Sequence, residues 1–517
     1  MRNIYVCFDG TWNTPDQKVG DIVCPTNVRR FFCTLAVSEV MKFYHPGVGT
    51  EGSGIKKLVD GALGSSIDDH IVNGYHWLCR NYLPSDRIFI IGFSRGAYSA
   101  RSLAGMIGQC SGLLKLYDKS DEEQWKIVKD AYQNRYRLRN AQWGMDVKRL
   151  KDQDGKDVGV YFVGVWDTVG ALGIPDDAEL ANMLDRPSEY RFHDVALGKH
   201  VQHARHAVAM DEVRSSFAPT LWVDEHNDPF SEKDFGDGRT VKQKWFPGVH
   251  CDVGGGYLET GLSDLALKWM IEEAHHLGAK FEIPMLAQIM PNPCGYMHDS
   301  YSGVFEMFRS QPRSTPAVVQ ESVNDGRLHA SVLDRQRVPP ISQAPYRGTR
   351  LLSVGEELEN IEIFAKHRWG NTGVYLKKGA TYRLEASGEW VDRTIPCGPG
   401  GMNDGVFHPG EIVHLAGSFL DGLEGWYAKV FKNKKADFYA SRRMRHMPWF
   451  ALVGAIANAK NPNADGTPSD MEYFLVGAGP VEIMPKSSGY LYCFANDAWH
   501  FYDNNRGSVQ LTFERVA

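Results

Sequence analysis

The sequence feature that most constrains the fold is an apolar run, residues 88–91 (IFII), that leads directly into Gly92-Phe93-Ser94-Arg95-Gly96. Four consecutive apolar residues predict a strand that is covered on both faces of a sheet. Small residues then recur at helical spacing, at Ala97, Ala100 and Ala104, and predict a helix that packs closely on that sheet. The stretch therefore indicates a strand, a tight turn and a helix, the repeating unit of parallel α/β sheets.

The same alternation of strand and helix patterns extends over the first two thirds of the chain. Apolar runs predict further strands at residues 4–8, 158–166, 206–210 and 242–246, and spaced apolar residues predict helices at 67–82 and 265–276. Three prolines and a glycine within residues 338–350 predict a linker. The β-rich runs after it, separated by Gly, Asn and Asp, predict an all-β sandwich at 351–517. We therefore predict an α/β domain with a mostly parallel sheet at 1–337, followed by a small β domain.

Two polar segments interrupt the predicted sheet, at about 113–157 and 178–203. The first is rich in charged and amide side chains, and both are predicted to be helical insertions. Helical insertions in such domains form caps over active sites, and they also occur as solvated extensions. Both interpretations stay open from the sequence alone.

The turn after the central strand matches G-x-S-x-G, the pattern of a serine nucleophile on a sharp strand-to-helix bend. Its glycines leave room where strand and helix approach, and the bend exposes the Ser94 hydroxyl above the sheet. The backbone N–H of Arg95, at the start of the helix, is predicted to stabilise the oxyanion of a tetrahedral intermediate. A second donor is expected from the loop after the first strand, at Gly10 or Thr11. The alternative is a tight connection that merely contains a serine.

A reactive serine needs a base and an acid that orients the base, and in this kind of fold they follow in the order Ser, Asp or Glu, His. Asp167 ends an apolar strand in VWDTVG, and His250 follows a β-rich run in GVHCDVGGGY. Taken singly, Asp167 also fits a turn residue, and His250 also fits a structural histidine. Their order and their positions after strands favour a Ser94–Asp167–His250 triad, a chemistry that requires no cofactor.

Five motifs in this order resemble one group of α/β-hydrolases, which contains the class-one lipase effectors of the bacterial type VI secretion system. They are FDGTWN (8–13), GFSRGA (92–97), VWDTVG (165–170), MDEVRSSFAP (210–219) and GVHCDVGGGY (248–257). The resemblance covers about residues 1–335. It implies an α/β-hydrolase fold and a phospholipase of A type or a related acyl-ester hydrolase. It also implies a lipid substrate at a membrane surface, delivery by the secretion apparatus and a cognate immunity protein.

The composition excludes other classes of function. With 57 Lys and Arg against 63 Asp and Glu, the net charge is −6, so nucleic acid is not expected as a partner. No apolar run approaches the roughly 18 residues of a membrane span, and the N-terminal residues lack a signal-peptide pattern. We therefore expect a protein that is cytoplasmic in the producing cell and is exported to a target cell by type VI secretion. Nine cysteines without a CxxC pair predict free thiols, buried at Cys7, Cys33, Cys79 and Cys493.

The last predicted strands flank a loop with several hard oxygen ligands, within CFANDAWHFYDNNRGSVQLTF. Asp497, Asn504 and Asn505 suit Ca²⁺, which binds carboxylate and amide oxygens. The same residue types suit a plain hairpin loop. Both interpretations stay open.

Residues 371–515 resemble the small calcium-dependent galactose-binding lectins of bacteria, through this loop, EASGEW (385–390) and a His408-Pro409 pair. The resemblance implies Ca²⁺ at the three loop residues and contact with a glycan at His408. The sequence departs from the lectins at their calcium-binding tyrosine, where Asp392 or Arg393 stands.

The leading interpretation is a serine acyl-ester hydrolase that acts on phospholipids as an antibacterial type VI effector. One alternative is an esterase that acts on acylated glycans or polyesters. Another is a carbohydrate-binding protein in which the hydrolase fold serves only as a scaffold. Hydrolysis of any ester would exclude the interpretation of the fold as a mere scaffold. A panel of lipids and acetylated sugars would distinguish the phospholipase from the esterase.

Overall fold

The computed structural model describes residues 1–10, 18–19, 21–47, 67–144, 147–170, 196–307, 309–343, 345–402, 443–463 and 467–517. The chain forms two compact units. The α/β unit consists of Met1–Ser300, Gln320–Tyr346 and Asn461–Pro468, and the β unit consists of Tyr301–Val319, Arg347–Lys460 and Ser469–Ala517. Neither unit is a continuous stretch of chain, and the predicted linker at 338–350 contains one of several points where the chain passes between them.

Within the described residues, the α/β unit is organised by a seven-stranded sheet in the order β4-β1-β5-β6-β7-β9-β8. Its strands are β1 (Asn3–Phe8), β4 (Lys42–His45), β5 (Arg87–Phe93), β6 (Val160–Trp166), β7 (Val201–Ala209), β8 (Glu232–Asp234) and β9 (Thr240–Phe246), and a separate pair is formed by β2 (Lys18–Val19) and β3 (Ile22–Val23). Neighbours in the sheet pair in parallel except β8, which is antiparallel to β9. The carboxyl ends of the parallel strands therefore meet at one edge of the sheet.

Helices cover both faces of this sheet. They are α1 (Asn27–Thr34), α2 (Ile67–Asn81), α3 (Arg95–Gln109), α4 (Asp121–Asp130), α5 (His250–Gly254), α6 (Gly261–His276), α7 (Ile283–Leu286), α8 (Gln320–Asn324) and α9 (Ser331–Arg337). Ile4, Val6 and Phe8 of β1 belong to the core completed by α2 and α3, whereas Tyr5 and Cys7 belong to the core completed by α1 and α6. Because strand side chains alternate between faces, a strand covered on both faces is apolar throughout.

The predicted elements of the α/β unit are present, and two of their boundaries are shifted by more than two residues. The strand predicted at 206–210 is β7, which begins earlier, at Val201, and the helix predicted at 265–276 begins at Gly261. The beginning of β7 was not predicted because polar residues interrupt its apolar pattern. Arg205, for example, is buried through its ion pair with Glu273 (2.6 Å), and such a partner cannot be read from the strand itself.

The first predicted insertion is helical over residues 121–137, and this helical part contributes side chains to the core, whereas its other described residues form turns and irregular chain. In it, α4 continues into a π-helical stretch, Ala131–Arg137. The Tyr132 hydroxyl donates to Asp68 of α2 (2.5 Å), and Val128 and Tyr132 are buried in the same apolar cluster as α2. This segment is therefore not merely a solvated extension, and its action as a cap stays a prediction. Of the second predicted insertion, residues 178–195 lie outside the described residues, and residues 201–203 belong to β7 rather than to a helix.

Two antiparallel sheets make up the β unit in its described residues. One has the order β10-β18-β12-β13 with β16 beside β12, and the other has the order β11-β17-β14-β15. The strands are β10 (Glu357–Phe364), β11 (Gly370–Leu376), β12 (Tyr382–Asp392), β13 (Ile395–Cys397), β14 (Leu452–Ala457), β15 (Glu472–Leu475), β16 (Val481–Ile483), β17 (Gly489–Ala495) and β18 (Asn505–Arg515). Leu384 and Leu511 from one sheet and Leu452 and Leu491 from the other lie in one apolar core. The all-β domain predicted after the linker is therefore present. Short 3-10 turns lie at Ser215–Phe217, Gly303–Met307 and Tyr502–Asn504.

All nine cysteines are free thiols, but one predicted burial is wrong. Cys7, Cys79 and Cys493 are buried, whereas Cys33 is exposed. In α1 the buried positions include Val28 and Phe31, so Cys33 falls on the opposite side of the helix. None of the described helices combines the length and the hydropathy that crossing a bilayer requires.

Candidate active site

The turn between β5 and α3 holds Ser94 in a backbone conformation that few residues adopt. Ser94 has φ 57° and ψ −125°, a strained combination for a residue with a side chain. A Cβ at Gly92 would lie 2.4 Å from the carbonyl oxygen of Gly96, and a Cβ at Gly96 would lie 2.3 Å from that of Phe8. Backbone crowding therefore requires both glycines of G-x-S-x-G, and the turn places Ser94 at the carboxyl edge of the sheet.

The three residues predicted to act together are in direct contact at this edge. Asp167 directly follows β6, and His250 is the first residue of α5, shortly after β9. The Nδ1 atom of His250 lies 2.6 Å from Oδ2 of Asp167, and its Nε2 atom lies 2.9 Å from Oγ of Ser94. Since a carboxylate only accepts, the proton of the neutral imidazole is on Nδ1, and Nε2 accepts the serine hydroxyl. Parallel strands have thus brought together residues that are 83 and 156 positions apart in the sequence.

Asp167 is fixed between two strands and uses both of its carboxylate oxygens. Oδ2 accepts the hydrogen bond from Nδ1–H of His250, and Oδ1 accepts the N–H of Ala209 (2.9 Å). The N–H of Asp167 donates to the carbonyl of Ala207 (2.7 Å), and its φ is 33°. The end of β7 therefore binds the second carboxylate oxygen and the backbone of Asp167, which fixes the direction of the carboxylate.

The surroundings of His250 favour a neutral imidazole. Burial lowers the pKa of His250 below its ordinary 6.5, and the hydrogen bond and charge of Asp167 oppose this effect without cancelling it. The ring packs against Phe93 (centroids 4.7 Å apart) and meets Phe217 edge to face (5.0 Å). A neutral imidazole held between two rings can accept a proton from Ser94 at neutral pH.

Residues 2–273, just over half of the chain, match the family model described as the catalytic domain of Tle1-like phospholipase effectors of the type VI secretion system. The chain belongs to this family. The matched residues contain Ser94, Asp167 and His250, so the contacts described above lie inside the Tle1-like domain.

Other similarities extend beyond bacteria. The chain is 30% identical over 237 residues to the uncharacterized protein YEL023C of Saccharomyces cerevisiae. The match covers 42% of this chain and 32% of the yeast protein. The chain therefore spans about a third of the length of that relative.

Two solved structures are similar to parts of the chain. One is an uncharacterized protein from Pseudomonas aeruginosa, with 20% identity, coverage of 56% of this chain and 49% of that chain, and a TM-score of 0.33. The other is the Tle1 effector bound to the VgrG spike of the type 6 secretion system, with 16% identity, coverage of 50% and 52%, and a TM-score of 0.26.

The predicted oxyanion donors of the Tle1-like domain differ in their surroundings. The Arg95 N–H belongs to the first residue of α3, directly after Ser94. The Gly10 N–H donates to Oδ1 of Asp9 (2.7 Å), so this donor is engaged by the protein in this conformation. Thr11 lies outside the described residues.

Sequence reasoning missed the part played by Asp9 in the Tle1-like domain. Asp9 directly follows β1 and is buried, and its Oδ2 accepts the hydroxyls of Thr26 (2.7 Å) and Tyr44 (2.5 Å). Burial raises the pKa of Asp9 to about 6, although hydrogen bonds from Tyr44, Thr26 and Gly10 oppose the rise. An aspartate directly after a buried strand, in FDGTWN, was the signal available for finding it.

In the β unit, two of the three predicted calcium ligands are in contact. The Nδ2–H of Asn505 donates to Oδ2 of Asp497 (2.9 Å). The Oδ1 atoms of Asn504 and Asn505 are buried and accept no hydrogen bond in the part of the chain that the structure describes. Buried oxygens without a donor suit a hard cation, so these residues fit Ca²⁺ in ligand type. His408, predicted to contact a glycan, lies outside the described residues.

Proposed function

We propose that the α/β unit is a serine acyl-ester hydrolase with an α/β-hydrolase fold. In this proposal Ser94 is the nucleophile, His250 is the general base and Asp167 orients the base. The observation that carries it is the continuous pair of contacts from Ser94 Oγ to His250 Nε2 (2.9 Å) and from His250 Nδ1 to Asp167 Oδ2 (2.6 Å). The strained turn at Ser94 and the lowered pKa of His250 support the same roles.

The reaction would proceed by acyl transfer. The Ser94 oxygen attacks the ester carbonyl while its proton passes to Nε2 of His250, and Asp167 stabilises the imidazolium. The Arg95 N–H stabilises the oxyanion, and a second donor would come from the loop at Gly10 and Thr11. His250 then protonates the leaving alcohol, and water releases the acid from Ser94 by the same steps. No metal or cofactor takes part in these steps.

The proposed substrate is a phospholipid from which the enzyme removes an acyl chain, as an A-type phospholipase does. Membership of the Tle1-like phospholipase effector family supports this class of substrate. The same membership supports delivery by the type VI secretion apparatus to a target cell, where bacterial membranes would be attacked. A secretion-apparatus partner and a cognate immunity protein belong to this proposal. The β unit is proposed to bind Ca²⁺ and a glycan at the target surface.

Hydrolysis of vesicles of phosphatidylethanolamine and phosphatidylglycerol tests the proposal. We expect Ser94→Ala to abolish acyl release, because the attacking oxygen is lost, and Ser85→Ala, at an exposed position, to leave it unchanged. Acetylated sugars in parallel assays identify an esterase of a different substrate class. Full acyl release by folded Ser94→Ala would show that the proposed nucleophile is wrong.

A further inference from the structure

A second carboxylate, Glu212, is buried beside the proposed active site. It lies in the loop after β7, and its side chain has no exposed surface. Its Oε2 accepts the backbone N–H of His250 (3.2 Å), and its Oε1 accepts the hydroxyl of Ser300 (2.9 Å). Arg214 donates to both oxygens, from Nη2 to Oε2 (2.7 Å) and from Nε to Oε1 (2.9 Å). A buried carboxylate with so many donors is held in one orientation.

Arg214 is also connected to the imidazole of His250 indirectly, through an aromatic ring. Its guanidinium lies 3.6 Å from the ring centroid of Phe217, and the Phe217 ring meets the His250 ring edge to face, 5.0 Å away. The Glu212–Arg214 pair therefore acts on His250 twice, at the backbone through Glu212 and at the ring through Phe217. Glu212, Arg214 and Phe217 all belong to the MDEVRSSFAP motif, whose individual residues were assigned no roles from the sequence.

The position of His250 explains why such support is needed. His250 begins α5, a helix of only five residues, which has few internal hydrogen bonds to fix it. The helix is followed by Gly255 and Gly256, whose φ values of 82° and 114° lie in the region that favours glycine. A short helix followed by glycines needs anchors from outside if its first side chain is to stay within hydrogen-bonding distance of Ser94.

We propose that Glu212 and Arg214 are positioning residues that hold His250 in line between Ser94 and Asp167. The opposite charges of Glu212 and Arg214 cancel, so the pair can hold His250 in place without adding net charge beside it. This inference rests on the proposed hydrolase function and names the residues that set the geometry and the basicity of its general base.

The two members of the pair have opposite effects on the imidazole. The charged groups acting on His250 are Asp167 from the end of β6 and Glu212 and Arg214 from the loop after β7, while Asp252 of α5 is paired with His298 (2.7 Å). Glu212 raises the pKa of His250, and Arg214 lowers it. Removing either charge leaves the other uncompensated, so the two removals should shift the protonation of His250 in opposite directions.

The test is the pH dependence of kcat/KM for Glu212→Gln and Arg214→Gln in the full chain. We expect kcat to fall about 10- to 100-fold with little change in KM, as for a misplaced catalytic group. The acid limb should move to lower pH in Glu212→Gln and to higher pH in Arg214→Gln. Arg214→Lys keeps the charge but loses the two-point contact, so it should lower kcat with an acid limb near that of the wild type.

An ion pair of the same spacing supplies the control. Asp325 and Arg327 are two positions apart, as Glu212 and Arg214 are, and form a partly exposed pair (2.6 Å). Asp325→Asn and Arg327→Gln should leave both kcat and the acid limb unchanged. Acid limbs that coincide with the wild type in all the variants at 212 and 214, with activity following only the melting temperature, would overturn the proposal. If Glu212→Gln does not fold, the comparison of Arg214→Gln with Arg214→Lys decides. Activity retained by Ser94→Ala would instead contradict the proposed function itself.

Discussion

Ser94 combines a strained backbone with hydrogen bonds that prevent the strain from relaxing. Its N–H donates to the carbonyl of Trp166 in β6 (3.2 Å), and its carbonyl accepts the N–H groups of Ala97 (3.1 Å) and Tyr98 (3.2 Å) in α3. The turn cannot adopt an ordinary conformation without breaking these bonds. The strand and the helix together therefore keep the hydroxyl close to His250.

Replacement of Gly96 by alanine should disrupt this turn. The new Cβ would lie 2.3 Å from the Phe8 carbonyl oxygen and 2.4 Å from that of Asp9, and backbone atoms cannot move aside cheaply. We expect a loss of about 1–3 kcal/mol in the free energy of unfolding, measured by denaturant titration, together with loss of ester hydrolysis. Gly398→Ala, whose Cβ would meet no atom within 4 Å, is the matched control. Equal stability of the two variants would contradict the crowding argument.

The acid limb of the pH profile reports the protonation of His250. The base must be neutral to accept the Ser94 proton, and burial lowers its pKa below 6.5. Activity should therefore persist as the pH falls through 6.5 and decline only below it. Measurement of kcat/KM from about pH 4 to pH 8 checks this, with circular dichroism at each pH to exclude unfolding. A limb above 6.5 would mean that the attraction of Asp167 outweighs burial.

Among the secondary-structure elements, Thr26 links the beginning of α1 to the end of β1. Its hydroxyl oxygen accepts the N–H of Arg29 as the N-cap of α1, and the same hydroxyl donates to Asp9. One small side chain thus caps a helix and satisfies a buried carboxylate beside the candidate oxyanion loop.

Thr26→Ala should lose both interactions, whereas Thr26→Ser keeps the hydroxyl. We expect the alanine variant to lose about 1–2 kcal/mol in the free energy of unfolding, as for a lost N-cap, and the serine variant to lose less. Urea titration of both variants measures the difference. If both lose the same amount, the contribution comes from the methyl group of Thr26 and the capping role is wrong.

The elements that could be predicted are those whose side-chain pattern is complete in one segment. The continuous apolar runs of β1, β5 and β6 predict burial directly, because a strand that is covered on both faces has apolar side chains on both faces. β7 was predicted only in part because Arg205 lies in it, buried by an ion pair with Glu273 of α6. The burial of Cys33 was predicted wrongly because an apolar run does not indicate which side of a helix faces solvent.

At the scale of the whole molecule, the division into two units does not follow the order of segments along the chain. The segment Asn461–Pro468 belongs to the α/β unit, where Asn461 exchanges side-chain hydrogen bonds with both backbone groups of Leu221 (2.8 and 2.9 Å). The sequence pattern placed this segment in the second domain, because neighbours in the chain were taken to be neighbours in the fold.

Calcium should affect the stability of the protein but not its ester hydrolysis. If Asp497 helps to bind Ca²⁺, millimolar Ca²⁺ should raise the melting temperature of the wild type, by an amount that grows with the ratio of free Ca²⁺ to Kd. Asp497→Asn should abolish this rise, whereas Asp503→Asn, at an exposed position on the same loop, should keep it. Acyl release should be the same in EDTA and in Ca²⁺. A melting temperature that does not respond to Ca²⁺ would leave the three residues as a plain hairpin loop.

The sequence by itself determined the strands that directly precede Ser94 and Asp167, the glycines of the turn and the order of the candidate triad, because each is a pattern of neighbouring residues. Parallel pairing then made their meeting predictable, since the carboxyl ends of such strands share one edge. Only the tertiary structure decided that Asp9 accepts the hydroxyls of Thr26 and Tyr44 and that Glu212 accepts the backbone N–H of His250. Buried carboxylates take their donors from whichever segments the fold brings near, and no local pattern specifies those segments.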